Sequence, residues 1–390
     1  SMFARRAFEL LASNTVTISN FSRGQKLLLG DLVVSGGSAV SLRNALEKRI
    51  GHENDERRFR LAGLRKVMGE HTYAHRLAYM AHKVLDRPLV SQDASILIVC
   101  AVASQDQVDA VIRAFDAQVA ESRKLMLVVA PGFLPGIAPG VDVALVTEQE
   151  AREIDPSVRW PDTFMGTFDA RDHYGPHYLR DLQLAARYSD SAILGKGAFY
   201  VATGDGPRLQ EDGSQYRHHE MRWPLRRAIL GSRVLEGVSL YDLVKADFAT
   251  PSLPGLAVAE FDYCEGGAGL ESSSHVDSGL RLDEGIAMPD LLAVAEATAG
   301  ESAEERIEDL PGFHGAALQA LFAPAAHGEG MLKLTHSLRG VLLESRLPPK
   351  QHAYAYASRM FRVSELARDG FVDFHLVTES GLYVNAVVVY

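Results

Sequence analysis

The residues whose types and spacing could do chemistry are concentrated between Thr167 and Lys196, in the segment TFDARDHYGPHYLRDLQLAARYSDSAILGK. Two carboxylates, Asp169 and Asp172, stand in a polar turn that a Gly-Pro pair closes. Carboxylates in a turn between a strand and a helix lie where α/β proteins bind phosphate and metal ions. Acidic residues also stabilise ordinary turns, so spacing alone leaves both interpretations open.

The elements around this turn can be predicted from periodicity. A helix should follow it, because apolar side chains recur at helical spacing between Tyr178 and Tyr188. Asp181 falls in the first turn of that helix, where a negative charge suits the helix dipole. A strand from Ser191 to Leu194 should then end at Gly195-Lys196.

The same segment resembles the central part of family 2 glycosyltransferases of the GT-A fold. In that family an acidic turn followed by Tyr-Gly-Pro-x-Tyr-Leu-x-Asp-Leu holds a nucleotide-sugar diphosphate through a divalent metal. Residues 174–182, with the sequence YGPHYLRDL, match this pattern, as does Gly195-Lys196 further on. The resemblance therefore implies that Asp169 and Asp172 face the diphosphate and bind Mg or Mn, with Lys196 nearby.

The acidic turn itself departs from the family. Relatives carry an unbroken acidic run, whereas Ala170 and Arg171 occupy its middle in this sequence. A guanidinium group pairs directly with phosphate, so Arg171 could replace the metal, or the site could be inactive.

The stretch before the turn reads as the start of a nucleotide-binding α/β unit. It alternates predicted strands and a helix, at 95–102, 107–119, 125–130 and 141–146. This order matches the beginning of the GT-A fold, where relatives hold the base and ribose with Thr-Tyr-Asn-Arg after the first strand. Ala103-Ser104-Gln105-Asp106 stands there in this chain. Asp106 could accept a hydrogen bond from the base or ribose, or it could cap the helix.

The resemblance also implies a catalytic base. Relatives carry a Glu-Asp pair whose second member takes the proton of the acceptor hydroxyl, and Tyr241-Asp242 occupies that register. Inverting transfer needs one such carboxylate beside the acceptor. Asp242 is the first candidate and Asp247 a weaker one; the alternative for Asp242 is a solvated carboxylate on an amphipathic helix.

The N-terminal segment, residues 3–86, resembles the closing part of a GT-B glycosyltransferase of the spore-maturation-protein group. Residues 6–15 (RAFELLASNT), 30–34 (GDLVV) and 71–76 (HTYAHR) carry this resemblance. In that family the carboxylate at the position of Glu9 contacts the ribose of the donor; otherwise Glu9 is a solvated helix residue.

Two histidine clusters favour structural roles over metal binding. His71 and His75 stand four residues apart without a third ligand nearby, so packing or capping is favoured. His218-His219-Glu220 falls on a predicted edge or loop, and adjacent strand residues point to opposite faces.

The composition excludes several protein classes. The chain has 390 residues, 47% hydrophobic and 23% charged, which is typical of a multidomain soluble protein. Its net charge of -10 argues against nucleic-acid binding. Cys100 and Cys264 are too few for a disulfide framework and predict buried thiols. No signal peptide or membrane-spanning run is visible, so a cytoplasmic location is expected.

Strand-only alternation replaces the α/β pattern from Gly330 onward. The predicted strands, which suggest a β-sandwich-like module, are 331–335, 341–345, 353–357, 371–377 and 382–390. Such a module could bind glycan or make homo-oligomer contacts, with aromatic candidates Tyr354, Tyr356, Phe361 and Tyr383.

The sequence therefore predicts an α/β protein with three parts: a partial GT-B-like segment (1–90), a GT-A-like domain with a mostly parallel sheet (91–300) and a β-rich module (301–390). The function that the resemblance implies is transfer of a sugar from a nucleotide-sugar donor to a glycan acceptor, in surface polysaccharide or glycoconjugate synthesis. The alternative is a non-catalytic, glycosyltransferase-like scaffold or glycan-binding module.

Overall fold

The computed structural model describes residues 5–36, 38–50, 53–85, 93–137, 143–211, 213–245, 250, 252–270, 275–287 and 290, and strand segments between 318 and 388. The chain divides into two compact units, one formed by Ser1–Val84 with Leu280–Tyr390 and the other by Leu85–Gly279. The boundaries expected after residues 90 and 300 stay predictions, and both positions lie outside the described residues.

The first unit is mainly helical in its N-terminal part. Its helices and parallel strands are α1 (Arg6–Ala12), β1 (Thr17–Asn20), α2 (Arg23–Leu29), β2 (Val33–Gly36), α3 (Ala39–Ile50), α4 (Glu53–Glu70) and α5 (Tyr73–Leu85). A small apolar core joins α1, α2, β2 and α4. Residues 56–85, rich in leucine, arginine and alanine, predict a helix, and the structure has two, which are separated at His71-Thr72. The His75 ring and the Thr72 hydroxyl bond each other at 2.7 Å beside this break.

Residues 281–286 belong to this first unit and lie along α2. The amide of Asp31 donates to the Asp283 carbonyl at 2.6 Å, and that of Ile286 donates to the Leu27 carbonyl at 2.8 Å. Lys26 pairs with the Asp283 carboxylate at 2.8 Å. This segment, expected to be part of an exposed loop, is therefore held by backbone and charged contacts.

The second unit is built on an eight-stranded sheet in the order β11-β13-β8-β12-β6-β3-β4-β5. The strands of this unit are β3 (Ile96–Val102), β4 (Arg123–Val129), β5 (Val143–Thr147), β6 (Phe164–Gly166), β7 (His173–Tyr174), β8 (Ile193–Gly195), β9 (Phe199–Thr203), β10 (Gly206–Gln210), β11 (His218–Met221), β12 (Ala228–Gly231), β13 (Leu253–Ala257) and β14 (Tyr263–Glu265). Strands β10-β9-β14-β7 form a smaller sheet.

The large sheet is mixed. Strands β3, β4, β5, β6, β8 and β13 run in one direction, while β12 and β11 run antiparallel to their neighbours. The expectation of a large α/β sheet is confirmed, and its mixed character comes from β12, reversed between β8 and β6, and from the edge strand β11.

Both faces of this sheet are covered. Alternate residues of β3 join different apolar clusters: Ile98 and Cys100 pack with α6 and α9, whereas Leu97 and Val99 pack with Trp223 and Leu240. This burial on two sides explains the unbroken apolar run ILIVCAV. Both cysteines are buried free thiols, as predicted.

The helices of the second unit are α6 (Gln105–Asp116), α7 (Glu148–Glu153), α8 (Pro156–Arg159), α9 (Tyr178–Ala185) and α10 (Leu240–Leu243). Helix α9 lies in the cluster of one face and α10 in that of the other. Among the helices of the described ranges, none has both the length and the apolar character needed to cross a membrane.

Two segments of this unit differ from what their sequences predict. The apolar segment 256–263 (LAVAEFDY) predicts one strand, but it falls on two strands, β13 and β14, because Asp262 between them adopts a positive φ of 64° that a strand cannot contain. The polar segment 204–213 predicts a loop, but it contains β10, which forms a hairpin with β9.

The C-terminal segment contains antiparallel strands: β15 (Leu318–Ala320), β16 (Gly330–His336), β17 (Gly340–Leu347), β18 (Val372–Thr378), β19 (Gly381–Leu382) and β20 (Ala386–Val388). They form sheets β17-β16-β18-β19 and β15-β20. Within the described parts of 318–388 the regular elements are strands, and the β-sandwich-like module stays a prediction. The helix expected at 289–299, the strand at 353–357 and the four candidate sugar-stacking aromatics fall outside the described residues, apart from Asp290.

Candidate functional site

The strand order of the large sheet reverses between β3 and β6, and we call the region at the carboxyl ends of these two strands the crevice. The chain passes from β3 through α6 to β4 on one side, and β6 is added on the other side of β3. In open α/β sheets the chain connections on the two sides of such a reversal lead away from each other. Ligands bind in the space between them, outside the carboxyl ends of the strands. The segments 103–106 and 167–172, both singled out in the sequence, follow β3 and β6 directly.

Asp169 and Arg171 form a closed pair within the turn after β6. The Arg171 side chain donates to the two Asp169 oxygens at 2.9 and 2.6 Å, and its backbone amide adds a third bond at 2.9 Å. These bonds lower the pKa of Asp169 and raise that of Arg171. The Arg171 side chain is 75% exposed against 23% for Asp169, so the guanidinium is the accessible member of the pair.

Asp172 is held inside the turn. One carboxylate oxygen accepts from the Tyr263 hydroxyl at 2.8 Å and the other from the Gly266 amide at 2.8 Å. An Arg226 nitrogen lies 3.6 Å from it. Burial nevertheless raises the pKa of Asp172, because the charged form loses more in hydration than these partners return.

A cluster of aromatic side chains packs against the acidic turn and fixes its position. Phe168 stacks on Tyr174 at 4.0 Å between centroids, and Tyr174 meets Tyr178 edge-on at 5.0 Å. The Tyr174 hydroxyl accepts from the Asp169 amide at 3.0 Å and donates to the Arg226 carbonyl at 3.0 Å. The tyrosines of the Tyr-Gly-Pro-x-Tyr motif therefore fix the turn to the segment that precedes β12.

Gly175 of that motif is required by close approach. A Cβ there would stand 2.5 Å from a carboxylate oxygen of Asp277 and 2.6 Å from one of Asp262. Its amide donates to the Asp262 carbonyl at 2.9 Å. A larger residue would push the start of α9 away from the strand ends.

Arg226 and Glu265 complete the charged surface of the crevice, and the residue-by-residue predictions missed both. Arg226 pairs with Glu265 at 2.6 Å and lies beside Asp172. The sequence signal is the group of arginines between Arg222 and Arg233, a local basic patch in a chain of net negative charge. This stretch contributes to the site because β12 runs antiparallel to its neighbours, which brings the start of β12 to the same edge of the sheet as the acidic turn.

Lys196, expected near the donor, is fully buried beneath α9. Its ammonium group donates to the Ala259 carbonyl at 2.7 Å and lies 3.5 Å from Asp181, whose side chain is 3% exposed. In this arrangement Lys196 stabilises the strand end that carries it and does not reach the crevice.

Within the second unit, Asp106 lies beside the crevice, whereas Asp242 does not. Asp106 is exposed in the first turn of α6, and Ser104 rather than Asp106 caps that helix. Asp242 is on α10, packed on the opposite face; it accepts from Ser239 in a capping box and pairs with Lys245 at 2.6 Å. Glu9 belongs to the first unit, where it pairs with Arg5 at 2.8 Å.

The carboxylates of the turn do not fit a divalent metal as they are arranged. Arg171 occupies both oxygens of Asp169, and both oxygens of Asp172 accept protein hydrogen bonds. Within the described residues, no three His, Cys, Asp or Glu side chains are grouped to bind one ion. The arrangement instead presents guanidinium groups at the strand ends.

Comparison with known proteins leaves the family open. No family model matches the chain, and no curated protein matches it. Among solved structures, the crystal structure of S. aureus TarS is similar with a TM-score of 0.28 and 10% identity, over 74% of this chain and 77% of that one. A TM-score of this size does not establish a common fold.

Proposed function

We propose that the second unit binds the diphosphate of a nucleotide sugar at the carboxyl ends of β3 and β6, and that the protein transfers the sugar to a glycan acceptor. The observation that carries this proposal is the position of the Asp169–Arg171 turn at the point where the sheet order reverses. Crevices of this kind bind nucleotides in open α/β sheets. The motif resemblance to family 2 glycosyltransferases supports the choice of a nucleotide sugar.

Arginine rather than metal is the proposed phosphate ligand. Arg171 is exposed and Arg226 is partly exposed, and each is bound to a carboxylate that a phosphate could replace. Guanidinium groups bind phosphate oxygens in a bidentate manner and keep their charge at all physiological pH values.

Isothermal titration calorimetry with UDP, and with GDP, CDP, TDP and ADP as a panel, tests this proposal. We expect one of these nucleotides to bind with the same affinity in EDTA and in Mn²⁺, because arginine needs no cation to hold phosphate. Binding that disappears in EDTA and returns with Mn²⁺ would indicate a metal site and contradict the arginine assignment. Absence of binding across the panel would contradict the donor site itself.

A non-catalytic scaffold or glycan-binding role is the second candidate, and the position of Asp242 favours it. General-base catalysis requires a carboxylate within hydrogen-bond reach of the acceptor hydroxyl. The residue that resemblance assigns to this task lies on the opposite face from the proposed donor crevice and caps α10. Nucleotide binding without sugar transfer, over a panel of donors and glycan acceptors, would support this second role.

A further inference from the structure

Arg227, next to Arg226 just before β12, is a partly buried residue that the donor site described above does not use. Its Nε and Nη1 atoms are buried, and neither has a hydrogen-bond partner in the part of the chain that the structure describes. A charged group whose donors lack acceptors is costly to bury. An ion, a ligand or an ordered water can supply the acceptor for such a group.

The plane of this guanidinium is fixed. Its Cζ atom lies 3.9 Å from the centroid of the Phe199 ring, which is the distance of a stacked cation–π contact. The backbone is fixed as well, because the Arg227 carbonyl accepts from the Lys196 amide at 2.8 Å. A planar fork that is already oriented loses little rotamer freedom when it binds a ligand.

No carboxylate among the described residues forms an ion pair with the positive charge of Arg227. The positive charge of the adjacent Arg226 repels that of Arg227. The Glu265 carboxylate attracts the Arg227 charge, but it is bonded to Arg226 at 2.6 Å. The phenol groups of Tyr178 and Tyr263 have raised pKa values because they are buried, so they stay neutral. Burial lowers the pKa of Arg227 itself.

Arg227 lies at the same edge and on the same face as the acidic turn. The carbonyl of its neighbour Arg226 accepts from the hydroxyls of Tyr174 and Tyr178 at 3.0 and 3.3 Å. Phe199, on which Arg227 stacks, belongs to the same apolar cluster as these tyrosines. A ligand in the crevice would therefore have two arginine positions within one site.

We propose that Arg227 is an oxyanion subsite of this crevice, which binds a phosphate or carboxylate group through its unpartnered guanidinium donors. Both oxyanions match the bidentate fork of arginine. The assignment of the ligand rests on the proposed nucleotide-sugar site: the oxyanion is either the donor diphosphate or the carboxylate of an acidic sugar.

The test compares Arg227→Met with the parent protein, using pyrophosphate, UDP, glucuronate and UDP-glucuronate as probes in calorimetry. The matched control is Arg152→Met, because Arg152 also stacks on an aromatic ring, Tyr241 at 3.6 Å, but on the opposite face. We expect Arg227→Met to weaken binding of at least one probe by about tenfold or more, which is the loss of a charged hydrogen bond. Arg152→Met should bind every probe as the parent does.

The probes separate the two sources of the oxyanion. Weaker binding of pyrophosphate and UDP would assign Arg227 to the diphosphate. Weaker binding of glucuronate and UDP-glucuronate, with UDP unchanged, would assign it to a sugar carboxylate. Equal affinities of the parent and Arg227→Met for all four probes would overturn the proposal, and UDP binding in that experiment would leave the donor site standing without the subsite.

A stability measurement keeps the test independent of the variant's folding. Because Arg227→Met removes a buried charge without a protein partner, its melting temperature without ligand should equal or exceed that of the parent. The melting temperature of the parent should rise with pyrophosphate or glucuronate and not with sodium chloride at equal ionic strength. A parent protein that responds to neither oxyanion would overturn the subsite, whatever the variant does. An Arg227-dependent response to pyrophosphate or glucuronate without binding of any nucleotide would instead remove the donor proposal.

Discussion

The two faces of the large sheet each carry a helix with an Asp–Lys pair, and the two pairs differ in almost every physical respect. Lys196 lies beneath α9 with 0% of its side chain exposed, 3.5 Å from Asp181. Lys245 lies at the end of α10 with 49% exposed, 2.6 Å from Asp242. The shorter contact is the exposed one.

The distance between two opposite charges is therefore a poor guide to how much the pair contributes to stability. Water screens Lys245 and Asp242, so breaking that pair costs little. Removing one member of a buried pair leaves the other charge without compensation in a poorly polarisable interior. The carboxyl edge of the sheet, where Lys196 lies, is therefore a preformed structure, whereas the region of Asp242 is a locally capped surface helix.

The largest effect should come from substituting the buried lysine. Lys196→Met leaves Asp181 buried without its cation and should lower the free energy of unfolding by about 3–5 kcal/mol. The matched change Lys245→Met should lower it by about 1 kcal/mol or less. Urea denaturation of both variants checks this, and equal losses would break the distinction between the two faces.

The second effect concerns ligand binding at the carboxyl edge. Arg171→Ala removes the accessible guanidinium of the turn and should weaken nucleotide binding by about 1.5–3 kcal/mol, the contribution of a charged hydrogen bond. Arg233→Ala is the control, because Arg233 is similarly exposed and paired with Asp162 at 2.6 Å, but follows β12 at its opposite end. Calorimetry should show the parent affinity for Arg233→Ala; a loss shared by both variants would indicate nonspecific attraction.

The smallest effect should come from Asp242. As a capping residue, Asp242→Asn should cost about 1 kcal/mol or less of stability and leave transfer unchanged, whereas loss of a general base would slow transfer by about 10²–10⁴-fold. A transfer assay with a verified acceptor decides between these outcomes. Asp169→Asn, assayed in parallel, removes the carboxylate that competes with phosphate for Arg171 and should leave donor binding equal to that of the parent or stronger.

The pH dependence of that cost has a defined sign. Lys245 and Ser239 lower the pKa of Asp242 from 3.8 to about 2. The stability that this carboxylate contributes is therefore present above pH 3.8 and lost as the pH falls towards 2. Asp172, whose pKa is raised by burial, should show the opposite trend: its contribution is largest below its unfolded pKa and declines as the pH rises through its folded pKa.

Most elements of the second unit could be predicted from the sequence, because their signals are local. The apolar run of β3 and the periodicity of α9 depend on neighbouring residues alone. The break at Asp262 could not be predicted in this way, since its positive φ accompanies packing against Gly175, which lies far away in the sequence.

The candidate site was predicted only in part, for a similar reason. The motif located Asp169 and Asp172 in a turn at a strand end, and the structure places both there. It did not show that Arg171 binds Asp169, or that Arg226 joins them from the start of an antiparallel strand. Spacing likewise could not show that Lys196 is buried or that Asp242 lies on the other face, because both depend on how distant strands are ordered.

A crystal of the parent protein soaked with the nucleotide sugar that binds most tightly in calorimetry tests the central claim most directly. The account predicts that the diphosphate lies at the carboxyl ends of β3 and β6, in contact with Arg171 or Arg226. A nucleotide bound beside α10 and Asp242, or anywhere away from the turn at 167–172, would contradict it.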